Sequence, residues 1–160
     1  MCSSDLAKPR ESTDMTANLQ VLNMAGHLIR RLHQQSTQLF SQRTLAAGFE
    51  VTPVQFSAMD AIHAEPGIDQ AKVAERIGYD RATIGGVIDR LEKRGWVLRI
   101  VSSKDRRSRE LRLSKAGEQA LQQLMVIVKE LQKDILHPLS EAEQSFFMHL
   151  ARRAIQLDSE

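Results

Sequence analysis

Residues 79–96 read YDRATIGGVIDRLEKRGW, and this stretch decides the fold. Its apolar residues recur at the three- and four-residue spacing of an amphipathic helix: Ile84, Val87, Ile88 and Leu91. Gly85 and Gly86 stand in the middle of that pattern, although a glycine inside a helix costs about 1 kcal/mol relative to alanine. Two adjacent glycines therefore need a physical reason.

The residues before this helix predict a second, shorter helix and a tight turn. Asp69 is placed to cap a helix over residues 70–77, which Gly78 ends. Asp80 is placed to cap the following helix, which ends at Gly95. Two short helices joined by about three residues, one of them glycine, are typical of a helix-turn-helix.

After Gly95 the hydrophobic period changes from helical to alternating. The segments WVLRIVS (96–102) and ELRLS (110–114) alternate, and SKDRRSR (103–109) between them is polar. This pattern predicts a two-stranded β-ribbon, the wing of a winged helix. Its tip carries four basic residues: Lys104, Arg106, Arg107 and Arg109. Arginine suits a narrow, electronegative minor groove.

A helical wheel puts small residues and then basic ones on the exposed side of the helix that follows Asp80. Recognition helices contact base edges mainly through their N-terminal residues, so we interpret the glycines as clearance for entry into the major groove. The alternative is a close crossing against another helix, which also favours small residues. The DNA-contacting residues predicted on this helix and the next strand are Arg81, Thr83, Gly85, Gly86, Arg90, Lys93 and Arg99.

The charge distribution agrees with a polyanionic partner. Residues 81–115 hold eleven Lys or Arg and four Asp or Glu, a balance of +7, while the rest of the chain carries −5. The alternative is a solvated basic face with no partner. No apolar run is long enough to cross a bilayer and no signal peptide is visible, so we expect a soluble, cytoplasmic protein without membrane contact.

The sequence offers no chemistry for catalysis. The five histidines are scattered, and no nucleophile elbow or glycine-rich phosphate loop is present. The only cysteine is Cys2, so no disulfide, zinc cluster or thiol sensor in the folded region is expected. We predict no catalytic residues, no metal site and no cofactor.

The remaining helices complete a fold that is mainly α with a small β-ribbon. We expect a helix over about 19–46 and a second over 53–64, capped by Thr52 with Pro53 at its first position. A third is expected over about 115–136 after Ser114, and a last helix follows the capping box of Ser140 and Glu143. The 115–136 helix carries an a/d stripe for packing on another helix: Leu121, Leu124, Val128, Leu131 and Ile135. Residues 1–17 lack periodicity and predict a disordered tail, in which Met15 is a candidate natural start.

The segment DRATIGGVIDRLEKRGWVLRIVSSKDRRSRELRLSKAG (80–117) resembles the multiple-antibiotic-resistance regulator (MarR) family. The resemblance covers about residues 19–158. It implies a homodimeric winged helix-turn-helix repressor on a pseudo-palindromic operator. The implied organisation is one domain over 18–158, with a DNA-binding lobe at about 52–114 and dimerisation helices at about 19–46 and 115–158. The family's central wing motif maps onto Asp105 and Arg107, which makes Arg107 the candidate for minor-groove insertion.

Many members of that family release DNA when a small aromatic acid binds between the two lobes. Here AGHLIRRL (25–32) and TPVQFSAMDAI (52–62) are similar to a subgroup that controls aromatic or N-heteroaromatic acid catabolism. The resemblance makes His27, Arg30 and Arg31 candidates for a carboxylate, and Gln55 and Phe56 candidates for the ring. The alternative is that these side chains make interlobe hydrogen bonds or phosphate contacts. The alternative function for the whole chain is a winged-helix protein-interaction module without a ligand response.

Overall fold

The computed structural model describes residues 19–101 and 109–157, which contain six α-helices and one two-stranded sheet. The predicted tail and the wing-tip residues Lys104, Arg106 and Arg107 lie outside these ranges. No helix in the described ranges is both long and apolar enough to cross a membrane. The chain divides into two compact units, residues 1–34 and residues 35–160.

The order of elements confirms the predicted helix-turn-helix and wing. The helices and strands are α1 (Ala25–Ala46), α2 (Pro53–Ala64), α3 (Gln70–Arg76), α4 (Arg81–Lys93), β1 (Val97–Val101), β2 (Arg109–Leu113), α5 (Lys115–Ile135) and α6 (Glu141–Ala154). The first helix was expected to begin at Leu19. Instead a 3-10 helix spans Gln20–Asn23, and Met24, in extended backbone, separates it from α1.

Side-chain caps fix where the helices start, at the residues the sequence indicated. Thr52 and Gln55 form a reciprocal capping box at α2. Asp69 accepts from the Lys72 N–H at α3, at 2.9 Å. Ser140 and Glu143 form the predicted box at α6, and their hydrogen bond lowers the pKa of the Glu143 carboxyl. These caps satisfy backbone donors that the first turn of a helix leaves free.

One hydrophobic core lies beneath the helix-turn-helix. It joins α2, α3, α4 and both strands to the first half of α5. Its most completely buried large side chains include Met59, Ile84 and Ile88, each with none of its surface exposed. Since α5 contributes Ala120 and Leu121 to the same cluster, the core continues past residue 114, where the DNA-binding lobe was expected to end.

The apolar stripe of α5 packs on other helices, as its spacing predicted, and those helices belong to the same chain. Leu121, Leu124 and Leu131 are at most 3% exposed. Leu124 and Leu131 pack in a second cluster with Phe40 of α1 and with Val51. The apolar stripe needs an apolar surface to pack against, and Phe40 of α1 and Val51 of the same chain form that surface.

The wing strands pair antiparallel, with Val97 opposite Leu113 and Val101 opposite Arg109. The loop before α3 adds two further backbone hydrogen bonds to β2. The Gly67 N–H donates to the Leu111 carbonyl and the Leu111 N–H donates to the Ile68 carbonyl, both at 2.9 Å. Gly67 has φ +98°, a conformation that L side chains rarely adopt. The base of the wing is therefore fixed to the helix-turn-helix.

The start of α5 sits directly against the backbone of Trp96. The Ser114 N–H donates to the Trp96 carbonyl at 2.9 Å, and the Ser114 hydroxyl donates to the Gly95 carbonyl at 2.6 Å. A Cβ at Gly117 would lie 2.1 Å from the Trp96 carbonyl oxygen, so no side chain fits there. Gly117 is thus required by close backbone approach and not by its own φ.

We predict that Gly117→Ala lowers the free energy of unfolding by about 1–3 kcal/mol, because α5 must shift away from Trp96 to admit a methyl group. Urea denaturation measures the change. Gly86→Ala is the matched control: a Cβ there has no neighbour within 4 Å, so alanine should be neutral or stabilising by up to about 1 kcal/mol. Equal stability of the Gly117→Ala variant and the parent protein would contradict the close approach.

Candidate nucleic-acid interface

Helix α4 divides into a buried face and an exposed face. Its apolar residues are at most 2% exposed: Ile84, Val87, Ile88 and Leu91. Most of the predicted DNA-contacting side chains of this helix lie on the exposed face: Arg81, Thr83, Arg90 and Lys93. The helix therefore presents small side chains at its beginning and cations at both ends, as the helical wheel indicated.

The two glycines of α4 have different surroundings. A Cβ on Gly86 would have nothing within 4 Å, so no other described helix crosses there. A Cβ on Gly85 would lie 3.3 Å from Nε2 of Gln70, on α3. Within the described chain, the close-crossing alternative is thus excluded for Gly86, while Gly85 is half-buried against a side chain of the preceding helix.

The first turn of α4 is closed by Asp80 and Thr83. Asp80 Oδ1 accepts from the Thr83 N–H at 2.8 Å, and Oδ2 accepts from the Thr83 hydroxyl. The Thr83 hydroxyl, followed by the Thr83 N–H, holds the pKa of the Asp80 carboxyl below its ordinary value of 3.8. Asp80 stays ionised at neutral pH, and the Thr83 hydroxyl proton is committed to the cap.

Arg94, which the sequence reading left without a role, is structural. Its Nη1 donates to the Glu50 carbonyl at 2.5 Å, and its guanidinium lies 4.7 Å from the centre of the Trp96 ring. The Phe49 ring lies 6.3 Å away from the same indole. Arg94 therefore anchors the end of α4 to the loop before α2, although it is itself exposed, and Arg90 and Lys93 remain the predicted DNA-contacting cations there.

Arg99 does not occupy the open position expected of a phosphate contact. Its side chain is 26% exposed and forms ion pairs with Asp89 and Glu92 of α4. Its charge is thus paired within the lobe, and the predicted contact of Arg99 with DNA stays a prediction. Arg109, at the start of β2, is exposed as predicted.

The candidate ligand residues belong to separate units. In residues 1–34, Arg30 and Arg31 are exposed and His27 is half-buried, and Arg30 donates to Gln34 at 2.8 Å. In residues 35–160, Gln55 is 7% exposed and its carbonyl oxygen is used by the α2 capping box. The Phe56 ring lies 6.0 Å from that of Phe40 and contacts both core clusters. Gln55 and Phe56 thus have structural contacts of their own.

A cleft of about 660 Å³ runs along α5, with His63 of α2 at its edge, and was not predicted from the sequence; we call it the α2–α5 cleft. The His63 Nδ1 and Glu118 Oε2 atoms, 2.7 Å apart, join the two helices at its edge. Its lining combines apolar, basic, acidic and amide side chains: His63, Lys115, Glu118, Gln119, Leu121, Gln122, Met125, Val126 and Lys129. Across residues 19–101 and 109–157, no three His, Cys, Asp or Glu side chains are grouped to hold a metal ion.

A helix-turn-helix followed by a β-ribbon, with an open face on the second helix, defines a winged-helix DNA-binding protein. Residues 51–108 match the model of the MarR family. The chain is 34% identical over 131 residues to the transcriptional regulator HosA of Escherichia coli O127:H6, covering 82% of this chain and 94% of HosA. The chain therefore belongs to the MarR family of transcriptional regulators, which confirms the resemblance seen in its sequence.

Solved structures show the same fold. PcaV of Streptomyces coelicolor, in complex with its natural ligand, superposes with a TM-score of 0.79 at 35% identity, covering 90% of this chain and 99% of PcaV. The transcriptional repressor CouR, bound to a 23-mer DNA duplex, superposes with a TM-score of 0.72 at 26% identity, covering 84% of this chain and 94% of CouR.

We predict that Gly86→Leu abolishes sequence-specific DNA binding while the fold gains stability, by up to about 1 kcal/mol, from the higher helix propensity of leucine. A Cβ at this position has no neighbour within 4 Å among the described residues, so the leucine side chain starts in open space. Electrophoretic mobility shifts and thermal melts measure the two effects. Gln123→Leu on the exposed side of α5 is the control and should bind DNA like the parent protein. Retained binding by Gly86→Leu would mean that α4 does not enter the groove at Gly86.

Proposed function

We propose that this regulator is a homodimeric repressor that binds a pseudo-palindromic operator and releases it when a small aromatic carboxylate binds. The observation that carries the DNA-binding part is the exposed face of α4. There Gly86 leaves open space between cations at the two ends of the helix. The relative CouR, a repressor bound to a DNA duplex, supports the same part of the proposal.

The operator contacts follow from the two elements of the winged helix. We place α4 in the major groove with Arg81 at its leading end, and the wing with Arg107 and its neighbours in the adjacent minor groove. A two-fold symmetric dimer then reads two half-sites whose centres lie about 34–36 Å apart. Salt-dependent binding to such a duplex tests this, since each phosphate contact releases counterions.

The apolar surface of α6 supports dimerisation. No described residue of this helix is buried, and Phe146 is 63% exposed. Ile155 and Leu157, just beyond its end, are 66% and 67% exposed. In the 1–34 unit, Leu28 and Ile29 are also more than half exposed. We propose that a second copy of the chain covers these side chains, because large exposed apolar side chains of this kind mark interaction sites.

We expect Phe146→Asp to give a monomer that binds the palindromic duplex much more weakly than the parent protein. The protomer should remain folded, because Phe146 is exposed within it. Sedimentation velocity measures the oligomeric state. Ser145→Asp introduces the same charge at the preceding exposed position and should leave the dimer intact. A Phe146→Asp dimer with parental affinity would show that α6 is not part of the interface.

The α2–α5 cleft is our proposed effector site. Its volume lies within the usual range of small-molecule pockets, about 300–1,000 Å³. Leu121, Met125 and Val126 offer apolar surface for an aromatic ring, and Lys115 and Lys129 offer cations for a carboxylate. The relative PcaV, solved with its natural ligand, supports ligand control in this fold. The residues that the resemblance indicated, His27, Arg30 and Arg31, are the alternative anchor.

We predict that a hydroxybenzoate, cinnamate or hydroxynicotinate raises the melting temperature and releases DNA over the same concentration range. Lys115→Ala and Lys129→Ala should each weaken ligand binding, while Lys133→Ala, which lies outside the cleft, should not. Calorimetry measures the affinities. Weakened binding in His27→Ala or Arg31→Ala with parental affinity in the two lysine variants would move the site to α1. The absence of any ligand-induced shift would remove the aromatic-acid part of the proposal.

A protein-interaction module is the second candidate function. It is favoured by Leu98 and Ile100 of β1, which are 46% and 42% exposed on the wing. A module of that kind needs no duplex DNA. Sequence-specific, salt-dependent binding to a duplex would therefore separate the two functions.

A further inference from the structure

The guanidinium of Arg99 lies where β1 meets two helices. Its Nη2 is 2.5 Å from Asp89 Oδ1, and its Nη1 is 2.8 Å from Glu92 Oε2. A longer contact of 3.5 Å joins Nη2 to Oε1 of Gln70 on α3. One side chain thus connects the first strand of the wing to both helices of the helix-turn-helix.

The two carboxylates are stabilised by this cation. Asp89 and Glu92 are three residues apart, so they lie on one side of α4 and repel each other. They also lie towards the C-terminal end of the helix, where the helix dipole disfavours negative charge. The planar fork of Arg99 contacts both carboxylates at once, which a lysine ammonium could not do in the same geometry.

Arg99 is also more shielded than the other paired arginines of the described chain. Its side chain is 26% exposed, against 56% for Arg43 and 49% for both Arg76 and Arg112. Salt screens partly buried pairs less than exposed ones. The guanidinium of Arg99 is therefore less open to screening than those of the other three, while Asp89 and Glu92 are 53% and 40% exposed.

Gly85 belongs to the same arrangement. Gln70 accepts from Arg99 through Oε1, while its Nε2 lies 3.3 Å from the place where a Cβ of residue 85 would stand. A side chain at this position would press on Gln70. At the first glycine of the pair, a Cβ would therefore displace the Gln70 amide by a few tenths of an ångström, whereas Gly86 faces outward.

We propose that Arg99 is a positioning residue that fixes the wing relative to the recognition helix and makes no contact with DNA itself. This inference rests on the proposed DNA-binding function. The wing and α4 enter different grooves of one duplex, so a change in the angle between them would misplace one when the other is seated. Arg99 lies on β1 and its two ion-pair partners lie on α4, so the ion pairs restrict the angle between the wing and α4.

The decisive experiment is the removal of the two carboxylates. Asp89→Asn with Glu92→Gln takes negative charge away from a DNA-binding surface, which by charge alone should raise affinity. If Arg99 positions the wing, the double variant instead binds more weakly, by roughly tenfold. The probe is a duplex selected by the parent protein from a random-sequence library. Affinity is measured at a temperature at which circular dichroism shows every variant to be fully folded. A variant that is merely less stable then keeps the affinity of the parent protein.

Four further variants complete the test. Glu75→Gln, an exposed carboxylate on α3, calibrates the effect of lost charge and should raise affinity slightly or leave it unchanged. Arg99→Gln should weaken binding as much as the double variant does, and the triple variant should be no weaker than either. Arg99→Lys should restore part of the affinity, because lysine keeps one ion pair.

The outcomes separate this inference from the proposed function. Tighter or unchanged binding by the double carboxylate variant would overturn the positioning role. So would additive losses in the triple variant, because they would mean that Arg99 contacts DNA independently. If the parent protein selects no duplex, the DNA-binding function itself fails before any variant is compared.

Discussion

The close approach between Trp96 and the start of α5 is the constraint on which the rest of the lobe depends. The Trp96 carbonyl accepts from the Ser114 N–H, and only a glycine at position 117 fits beside it. On the other side, the Trp96 ring is held by Arg94 and Phe49. One residue therefore fixes where α4 ends, where the wing begins and where α5 starts. The position of α4 relative to the wing follows from this junction.

The two adjacent glycines of α4 lie in different surroundings, so the absence of a side chain has a different effect at each position. Gly86 leaves space outside the molecule, where a partner can approach, while Gly85 leaves space inside it for Gln70. Each glycine lowers the stability of an isolated helix by about 1 kcal/mol. The core beneath, with Ile84 and Ile88 completely buried, offsets that cost. Clearance for the major groove therefore accounts for Gly86, while Gly85 also has the contact with Gln70 to accommodate.

Interactions between residues close in sequence could be predicted from the sequence, whereas contacts between residues far apart in the chain could not. The caps at Thr52, Asp69 and Asp80 were predictable because a cap joins residues three positions apart. The α5 stripe indicated that an apolar partner was required, but not that the partner lies in the same chain. Arg99 looked like one cation of a basic segment because its ion-pair partners lie on α4, across the turn into the wing. The α2–α5 cleft depends on His63 and Glu118, 55 positions apart in the chain, so no local pattern revealed it.

The proposed effector control follows from the position of α2 between the cleft and the recognition helix. Met59 and Ile62 of α2 pack in the same cluster as Ile84 and Ile88 of α4, while His63, the next residue, lines the cleft. Close-packed interiors resist deformation, so a ligand that changes the spacing of α2 and α5 moves α2 and α4 together. Such a ligand changes operator affinity only by its own preference for one spacing over the other. If Arg99 positions the wing as proposed, its ion pairs with α4 extend this coupling to β1. An effector that contacts neither DNA-binding element can then misplace both.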